Sequence, residues 1–141
     1  MAVILDGKKI AAEIRQEIKK ETEKIFQEKS IKPGLAVIIV GDDPASAIYV
    51  RNKEKAAQEV GFKSVVKRYP ADTTQEELLN AVDEINNDEQ IHGMIVQLPL
   101  PKHLNEKEVI NRIKPAKDVD GLHPVSIGAL TIGDKGLVSC T

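Results

Sequence analysis

The chain is poor in cysteine, in aromatic residues and in net charge, and each shortage excludes a class of protein. Cys140 is the only cysteine among 141 residues, which excludes an internal disulfide and a metal site built from several cysteines. Aromatic residues make up 3% of the sequence, so a buried core must be aliphatic. The formal net charge is -2, which gives no reason to expect a nucleic-acid partner.

No segment has the pattern of a targeting sequence or a membrane span. Residues 1–6 lack a basic region followed by an apolar stretch of signal-peptide length. No apolar run approaches the ~18 residues that a transmembrane helix needs. The sequence therefore predicts a cytoplasmic protein without a membrane partner.

Helical and extended patterns alternate along the chain. Strands are predicted from apolar runs at Leu35–Val40, Ser64–Tyr69 and Gly93–Leu98. Helices are predicted from apolar spacing and caps at residues 8–29, from Pro44 to about Val60, after the capping box Thr74–Glu77, and at Asn105–Ile113. Such alternation predicts a single α/β domain with three layers, α/β/α, and a mainly parallel sheet.

Two details refine this fold. The second strand is less apolar than the first, so it is expected nearer a sheet edge. Asp43 before Pro44 has the pattern of an N-cap, and Ser46 is a second candidate for that cap. The last 15 or so residues carry no clear pattern.

The second helix carries the strongest candidate for chemistry. At about 100° per residue, Tyr49, Lys53, Ala56 and Val60 fall within an arc of roughly 60°. A lysine in line with Ala and Val is poorly placed for a solvated charge. Burial lowers the pKa of lysine amines in general and lets them transfer protons near neutral pH. Packing of Tyr49 with an extended Lys53 stem is the simpler alternative.

Two further polar residues are expected near Lys53, because ligands bind outside the carboxyl ends of parallel strands. Gln97 lies near the end of the third strand, and Asp120 lies in the loop after the next helix. Tyr49 offers a stacking face, Gln97 a hydrogen-bond partner for Lys53, and Asp120 an acceptor for ring N–H groups. Together they suit a flat, polar heteroaromatic ring, although Gln97 could simply cap a strand end.

Other motifs favour structural roles. Asp42 and Asp43 are best explained by turn and cap chemistry, with metal binding as the lesser alternative. The three histidines lack metal-ligand spacing. The pair Asp118-x-Asp120 resembles acidic pairs that hold divalent cations, without further carboxylates to support it. The glycines do not form Gly-x-Gly-x-x-Gly, so no dinucleotide fingerprint is found and no cofactor-binding residue is predicted in this chain.

Three longer segments carry a family resemblance. The first consists of Pro33–Ala36, Val40–Ser46 and Tyr49–Lys53; the second is Gly93–Pro101 and the third is Pro115–Pro124. Jointly they resemble the signatures of the bifunctional methylenetetrahydrofolate dehydrogenase/methenyltetrahydrofolate cyclohydrolase family, and the similarity runs from residue 2 to residue 141. Ser126 and Ala129 stand where that family commonly has Asn and a basic residue.

The resemblance implies an activity in one-carbon metabolism. The family oxidises 5,10-methylenetetrahydrofolate with NADP to the 5,10-methenyl cation and then adds water, giving 10-formyltetrahydrofolate. Lys53 would be the central catalytic residue, Gln97 would modulate it, Tyr49 would stack on the folate and Asp120 would bind the pterin. The implied substrate-binding residues are Tyr49, Val50, Arg51, Asn52, Lys53, Val96, Gln97, Leu98, Pro99 and Asp120.

The resemblance also implies a second domain. Family members are roughly twice this length and carry a Rossmann-type NADP domain, through which they tend to form homodimers. Residues 1–141 are therefore expected to be the folate-binding catalytic domain of a truncated or excised protein, unable to transfer hydride alone. Two alternatives stay open: a folate- or partner-binding module without activity, and a divalent-metal-dependent phosphotransfer or sugar-transfer enzyme using Asp118 and Asp120.

Overall fold

A computed structural model describes residues 4–139 of the chain. Cys140, on which the disulfide expectation rests, lies outside the described residues, as do Thr141 and the first three residues of the N-terminus. Within the described range, no helix is long and apolar enough to cross a membrane.

Helices and strands alternate as predicted. The strands are β1 (Gly34–Val40), β2 (Lys63–Tyr69) and β3 (Gly93–Val96). The helices are α1 (Gly7–Lys29), α2 (Pro44–Glu59), α3 (Gln75–Asn87), α4 (Glu106–Arg112) and α5 (Pro124–Ile132), with a 3-10 turn at Pro115–Lys117 between α4 and α5. The third strand ends at Val96 rather than at Leu98.

The three strands form a parallel sheet with the order β2-β1-β3. Ile38 of β1 aligns with Lys67 of β2 on one side and with Val96 of β3 on the other. The central position of β1 explains its unbroken apolar run, since every residue from Ala36 to Val40 is buried. β2 lies at an edge, as its mixed composition predicts.

Alternate residues of β1 face two different hydrophobic clusters. Ala36, Ile38 and Val40 pack with residues of α3 and α4, including Leu78 and Val109. On the opposite face, Val37 and Ile39 pack with Val50 of α2 and Ile95 of β3. Helices therefore cover both faces of the sheet, which confirms the three-layer α/β/α architecture and the aliphatic core.

Side-chain caps fix where the helices begin. Asp43 Oδ2 accepts a hydrogen bond from the Ser46 N–H at 2.7 Å, and this bond holds the pKa of Asp43 below its ordinary value. Ser46, the alternative cap, is instead buried in the first turn of α2. Thr74 and Glu77 form the predicted capping box of α3.

Helix α5 was not predicted, because its residues lack an amphipathic period. Val125, Ile127 and Leu130 are all at least half exposed, so apolar residues do not mark a single buried face. Local signals define the helix instead: the His123 side chain accepts a hydrogen bond from the Val125 N–H, and Gly133 ends the helix with a φ of 74°.

Two glycine-to-alanine changes should have opposite effects on stability. A Cβ at Gly34 would lie 2.0 Å from the Gln90 carbonyl oxygen, so Gly34→Ala should lower the free energy of unfolding by about 3 kcal/mol or more. Gly128 lies within α5 and a Cβ there meets nothing within 4 Å. Gly128→Ala should therefore raise the free energy of unfolding by about 0.5–1 kcal/mol. Urea unfolding of both variants measures this difference, and equal midpoints would contradict it.

Candidate active site

A cleft of about 370 Å³ opens at the carboxyl ends of β1 and β3. It is lined by Lys53, Val96, Gln97, Leu98, Asp120, Leu122 and Ser139. The three polar residues predicted to converge on this edge, Lys53, Gln97 and Asp120, therefore share one cleft.

Packing of α2 presents Lys53 to the cleft. Val50, one turn before Lys53, is fully buried, and Ala57, one turn after it, is 5% exposed. Burial of a valine contributes about 1.5–3 kcal/mol, whereas a hydrogen bond contributes about 1 kcal/mol. The buried face of α2 therefore decides where Lys53 lies. The predicted arc is confirmed for Lys53, Ala56 and Val60, which are at least half-buried, but Tyr49 is 59% exposed.

Gln97 is aimed at Lys53 by its own hydrogen bonds. The Gln97 backbone N–H donates to the Ile38 carbonyl at 2.8 Å and so extends the pairing of β3 with β1 by one residue. Its side-chain Nε2 donates to the Leu98 carbonyl at 2.7 Å, which leaves Oε1 facing α2. Lys53 Nζ donates to this Oε1 at 3.1 Å. The expected hydrogen bond between the two side chains is present.

Asp120 faces the same cleft from the loop between the 3-10 turn and α5. Burial raises the pKa of the Asp120 carboxyl above its ordinary value. The positive charge of Lys53 opposes this rise, and the negative charge of Asp118 adds to it. The next residue, Gly121, has a φ of 69°, and a Cβ there would lie 2.8 Å from the Ser139 nitrogen. Only glycine lets the segment that contains Ser139 pack against this loop.

Asp118 does not face the cleft. It is 1% exposed, and its carboxylate accepts hydrogen bonds from the N–H groups of Leu122 and His123 and from the Ser126 hydroxyl. With its oxygens occupied by donors, Asp118 is not available as a metal ligand beside Asp120, which argues against the metal-dependent transferase. Residues 4–139 contain no group of three or more His, Cys, Asp or Glu side chains suited to a metal ion.

Several predicted substrate-binding residues lie outside the cleft lining. The Val50 side chain is in the core, whereas Arg51 and Asn52 are exposed on α2. Tyr49 lies one helical turn before Lys53, and Pro99, exposed, follows the cis Leu98–Pro99 peptide bond beside the cleft. A signature segment on a helix contains both cleft-facing and core-facing residues, and the Val50 side chain is of the second kind. The substrate-binding roles of these residues stay predictions.

Leu122 and Ser139 line the cleft although the sequence did not point to them. Leu122 adjoins the Asp120–Gly121 turn, so its proximity in sequence was the available signal. Ser139 reaches the cleft through packing of a distant segment against Gly121, for which the sequence offers no pattern.

Comparison with known proteins identifies the family. Residues 5–120 match the model of the tetrahydrofolate dehydrogenase/cyclohydrolase catalytic domain. The chain is 55% identical over 140 residues to the bifunctional protein FolD of Halalkalibacterium halodurans, covering 99% of this chain and 50% of the relative. FolD of Moorella thermoacetica is 56% identical over 140 residues, with the same coverage. This chain belongs to the tetrahydrofolate dehydrogenase/cyclohydrolase family.

Solved structures of the family share the fold. The bifunctional FolD of Campylobacter jejuni superposes with a TM-score of 0.94 at 42% identity, over 98% of this chain and 49% of that one. The Trypanosoma brucei dehydrogenase-cyclohydrolase, complexed with NADP cofactor and inhibitor, gives 0.95 at 39% identity, over 99% and 48%. The chain thus spans about half the length of the relatives that it matches.

The turn between β1 and α2 does not suit the pyrophosphate of a dinucleotide such as NADP. In open parallel sheets the pyrophosphate of a dinucleotide binds where a strand passes through a glycine-rich turn into a helix N-terminus. Here that turn contains Asp42 and Asp43, and Asp43 already accepts the N–H of Ser46. Two carboxylates at this helix end would repel a phosphate.

The charge of Lys53 should be visible in the titration of Asp120. Because Lys53 lowers the pKa of Asp120, Lys53→Met should move the Asp120 titration to higher pH. Lys55→Met, an exposed lysine on the same helix, is the matched control and should leave the titration unchanged. NMR of the ¹³C-labelled carboxyl group measures both. A titration that does not move in Lys53→Met would contradict the proximity of the two charges.

Proposed function

We propose that this chain is the folate-binding catalytic part of a bifunctional enzyme. That enzyme oxidises 5,10-methylenetetrahydrofolate with NADP to 5,10-methenyltetrahydrofolate and hydrolyses this product to 10-formyltetrahydrofolate. One observation carries the proposal: Lys53, Gln97 and Asp120 line a single cleft, with Lys53 hydrogen-bonded to Gln97 at 3.1 Å. Membership of the family supports it.

Asp120 and Tyr49 would hold the pterin ring. Asp120 presents a carboxylate acceptor within the cleft, which suits the N–H and amino groups along one edge of a pterin. Tyr49, at 59% exposure on the turn before Lys53, has a free ring face on which a flat ligand can stack. Val96, Leu98 and Pro99 would complete the apolar side of the binding site.

Lys53 would move the protons of hydrolysis. Water that adds to the cationic methenyl carbon must lose a proton, and the ring nitrogen that leaves on opening must gain one. A single amine can accept the first proton and return it to the nitrogen. The Gln97 oxygen, held in place by the Leu98 carbonyl, fixes the direction of the Lys53 amine.

The dehydrogenase step would need a hydride acceptor, which bound NADP would supply. We place its binding in the part of the relatives that this chain does not span. For that step Lys53 and Asp120 would orient the folate at the same cleft. The cytoplasmic location and the homodimer also remain predictions.

Hydrolysis of methenyltetrahydrofolate tests the role of Lys53. The chain should accelerate the loss of the methenyl absorbance, and Lys53→Met should reduce the rate by about 100-fold or more, to the uncatalysed background. Lys55→Met should retain the rate, because this residue is exposed and lies outside the cleft. Equal rates for the wild type and Lys53→Met, both at background, would show that the chain has no cyclohydrolase activity.

A folate-binding module without activity is the second candidate. The exposure of Tyr49 favours it, because a binding site open on one side can retain a ligand without excluding water from the reaction. Titration calorimetry with a non-reactive folate analogue separates the two. Binding without turnover favours the module, whereas turnover that depends on Lys53 favours the enzyme.

Hydride transfer should not occur with this chain alone. NADP and 5,10-methylenetetrahydrofolate, mixed with the chain, should give no absorbance of NADPH, because the turn between β1 and α2 places two carboxylates where a pyrophosphate would bind. Addition of a full-length relative to the same mixture is the positive control. NADPH formation by the chain alone would contradict our assignment of the cofactor site.

A further inference from the structure

Asp118 is a buried carboxylate that the proposed chemistry does not use. It is 1% exposed and among the largest fully buried side chains of the described range. Oδ2 accepts from the His123 N–H at 2.9 Å and from the Ser126 hydroxyl at 2.7 Å, and Oδ1 accepts from the Leu122 N–H at 3.3 Å. Burying a carboxylate is unfavourable unless such donors replace water. Three donors around one carboxylate indicate a structural arrangement that depends on its charge.

The backbone and side chain of Asp118 make contacts on both sides of Asp120 in the sequence. Before Asp120, the backbone of Asp118 pairs with Met94 of β3 in an isolated parallel bridge. After it, the Gly121 N–H donates to the Asp118 carbonyl at 3.4 Å, and the Leu122 and His123 N–H groups bind the Asp118 carboxylate. The loop that presents Asp120 is thus closed around Asp118 and attached to β3.

Ser126 connects this loop to α5. It is 7% exposed, in the first turn of the helix, and its hydroxyl donates to Asp118. A carboxylate beside the N-terminus of a helix is also favoured by the helix dipole. The same carboxylate therefore fixes both the turn that contains Asp120 and the start of the next helix.

We propose that Asp118 is the positioning residue of Asp120, and that Ser126 holds Asp118 in its orientation. The functional part of this inference rests on the role proposed for Asp120 in folate binding. Asp118 acts in two ways: its hydrogen bonds define the backbone of the turn, and its negative charge acts on the Asp120 carboxyl. The charged groups that act on Asp120 are Lys53, from α2, and Asp118, from its own loop.

Two variants separate the two effects. Asp118→Asn removes the negative charge and presents an amide N–H to a site filled by donors. Because the charge of Asp118 raises the pKa of Asp120, this variant should move the Asp120 titration to lower pH. Ser126→Ala keeps the charge and removes one hydrogen bond, so it should not lower the pKa of Asp120. In both variants the Leu122 and His123 amides should exchange with solvent about threefold to tenfold faster.

Ligand binding gives the second measurement. Both variants should weaken binding of a folate analogue by about threefold to tenfold, and Ser126→Thr, which restores a hydroxyl, should recover most of the loss. In the cyclohydrolase assay the loss should raise KM more than it lowers kcat, because positioning of Asp120 affects binding of the pterin. Thr131→Ala is the matched control, since the Thr131 hydroxyl bonds only within α5, to the Ile127 carbonyl.

The outcomes distinguish this inference from the proposed function. If the wild-type chain does not bind the analogue, the proposed function fails, and the ligand-free titration and amide exchange still decide the role of Asp118. If Asp118→Asn leaves both the Asp120 titration and the exchange of the Leu122 and His123 amides unchanged, Asp118 is not the positioning residue of Asp120. If Asp118→Asn does not give a cooperative thermal transition, Ser126→Ala tests the inference instead. Faster exchange of the Leu122 and His123 amides in Ser126→Ala, restored in Ser126→Thr, supports it, and unchanged exchange overturns it.

Discussion

Burial of β1 on both faces is the constraint on which the rest of the structure depends. Residues Ala36 to Val40 are all at most 5% exposed, with α2 on one side and α3 and α4 on the other. A strand covered on both faces must pair with its neighbours in one register, because a shift of one residue would exchange the two clusters. The carboxyl end of β1 then has a fixed place, and α2 starts from it after a three-residue turn.

The cleft brings charged groups together at the edge of this sheet. Lys53 and Asp120 carry opposite charges and come from different elements, while Gln97 lies beside the lysine as a neutral acceptor. An ion pair closed between Lys53 and Asp120 would hold both groups away from a ligand. Gln97 instead orients Lys53 without a negative charge. Asp120 is partly buried, and this burial raises the pKa of its carboxyl group. Such an arrangement leaves both side chains available to a substrate.

The sequence predicted most of the fold because its local signals agree with its packing. The unbroken run of β1, the Asp43 cap and the Thr74–Glu77 capping box each describe a structure of a few residues. The convergence of Lys53, Gln97 and Asp120 was also predictable, since it follows from parallel topology. Helix α5 was not, because its apolar residues lie on all sides, and neither was the approach of Ser139, which depends on packing over a long sequence separation.

The short strand β3 links the two halves of the candidate site, Lys53 with Gln97 and Asp120 with Asp118. At its end, Gln97 continues the pairing with β1 and turns its side chain toward Lys53. At Met94, near its start, the strand bridges to Asp118, whose carboxylate closes the loop around Asp120. Only two residues of β3 separate Met94 from Gln97. The hydrogen-bond partner of Lys53 and the bridge to Asp118 therefore lie about 10 Å apart along one extended segment. The strand thus carries the residue that orients the Lys53 amine and anchors the loop that presents Asp120, so both contacts start from one regular element of the fold rather than from loops alone.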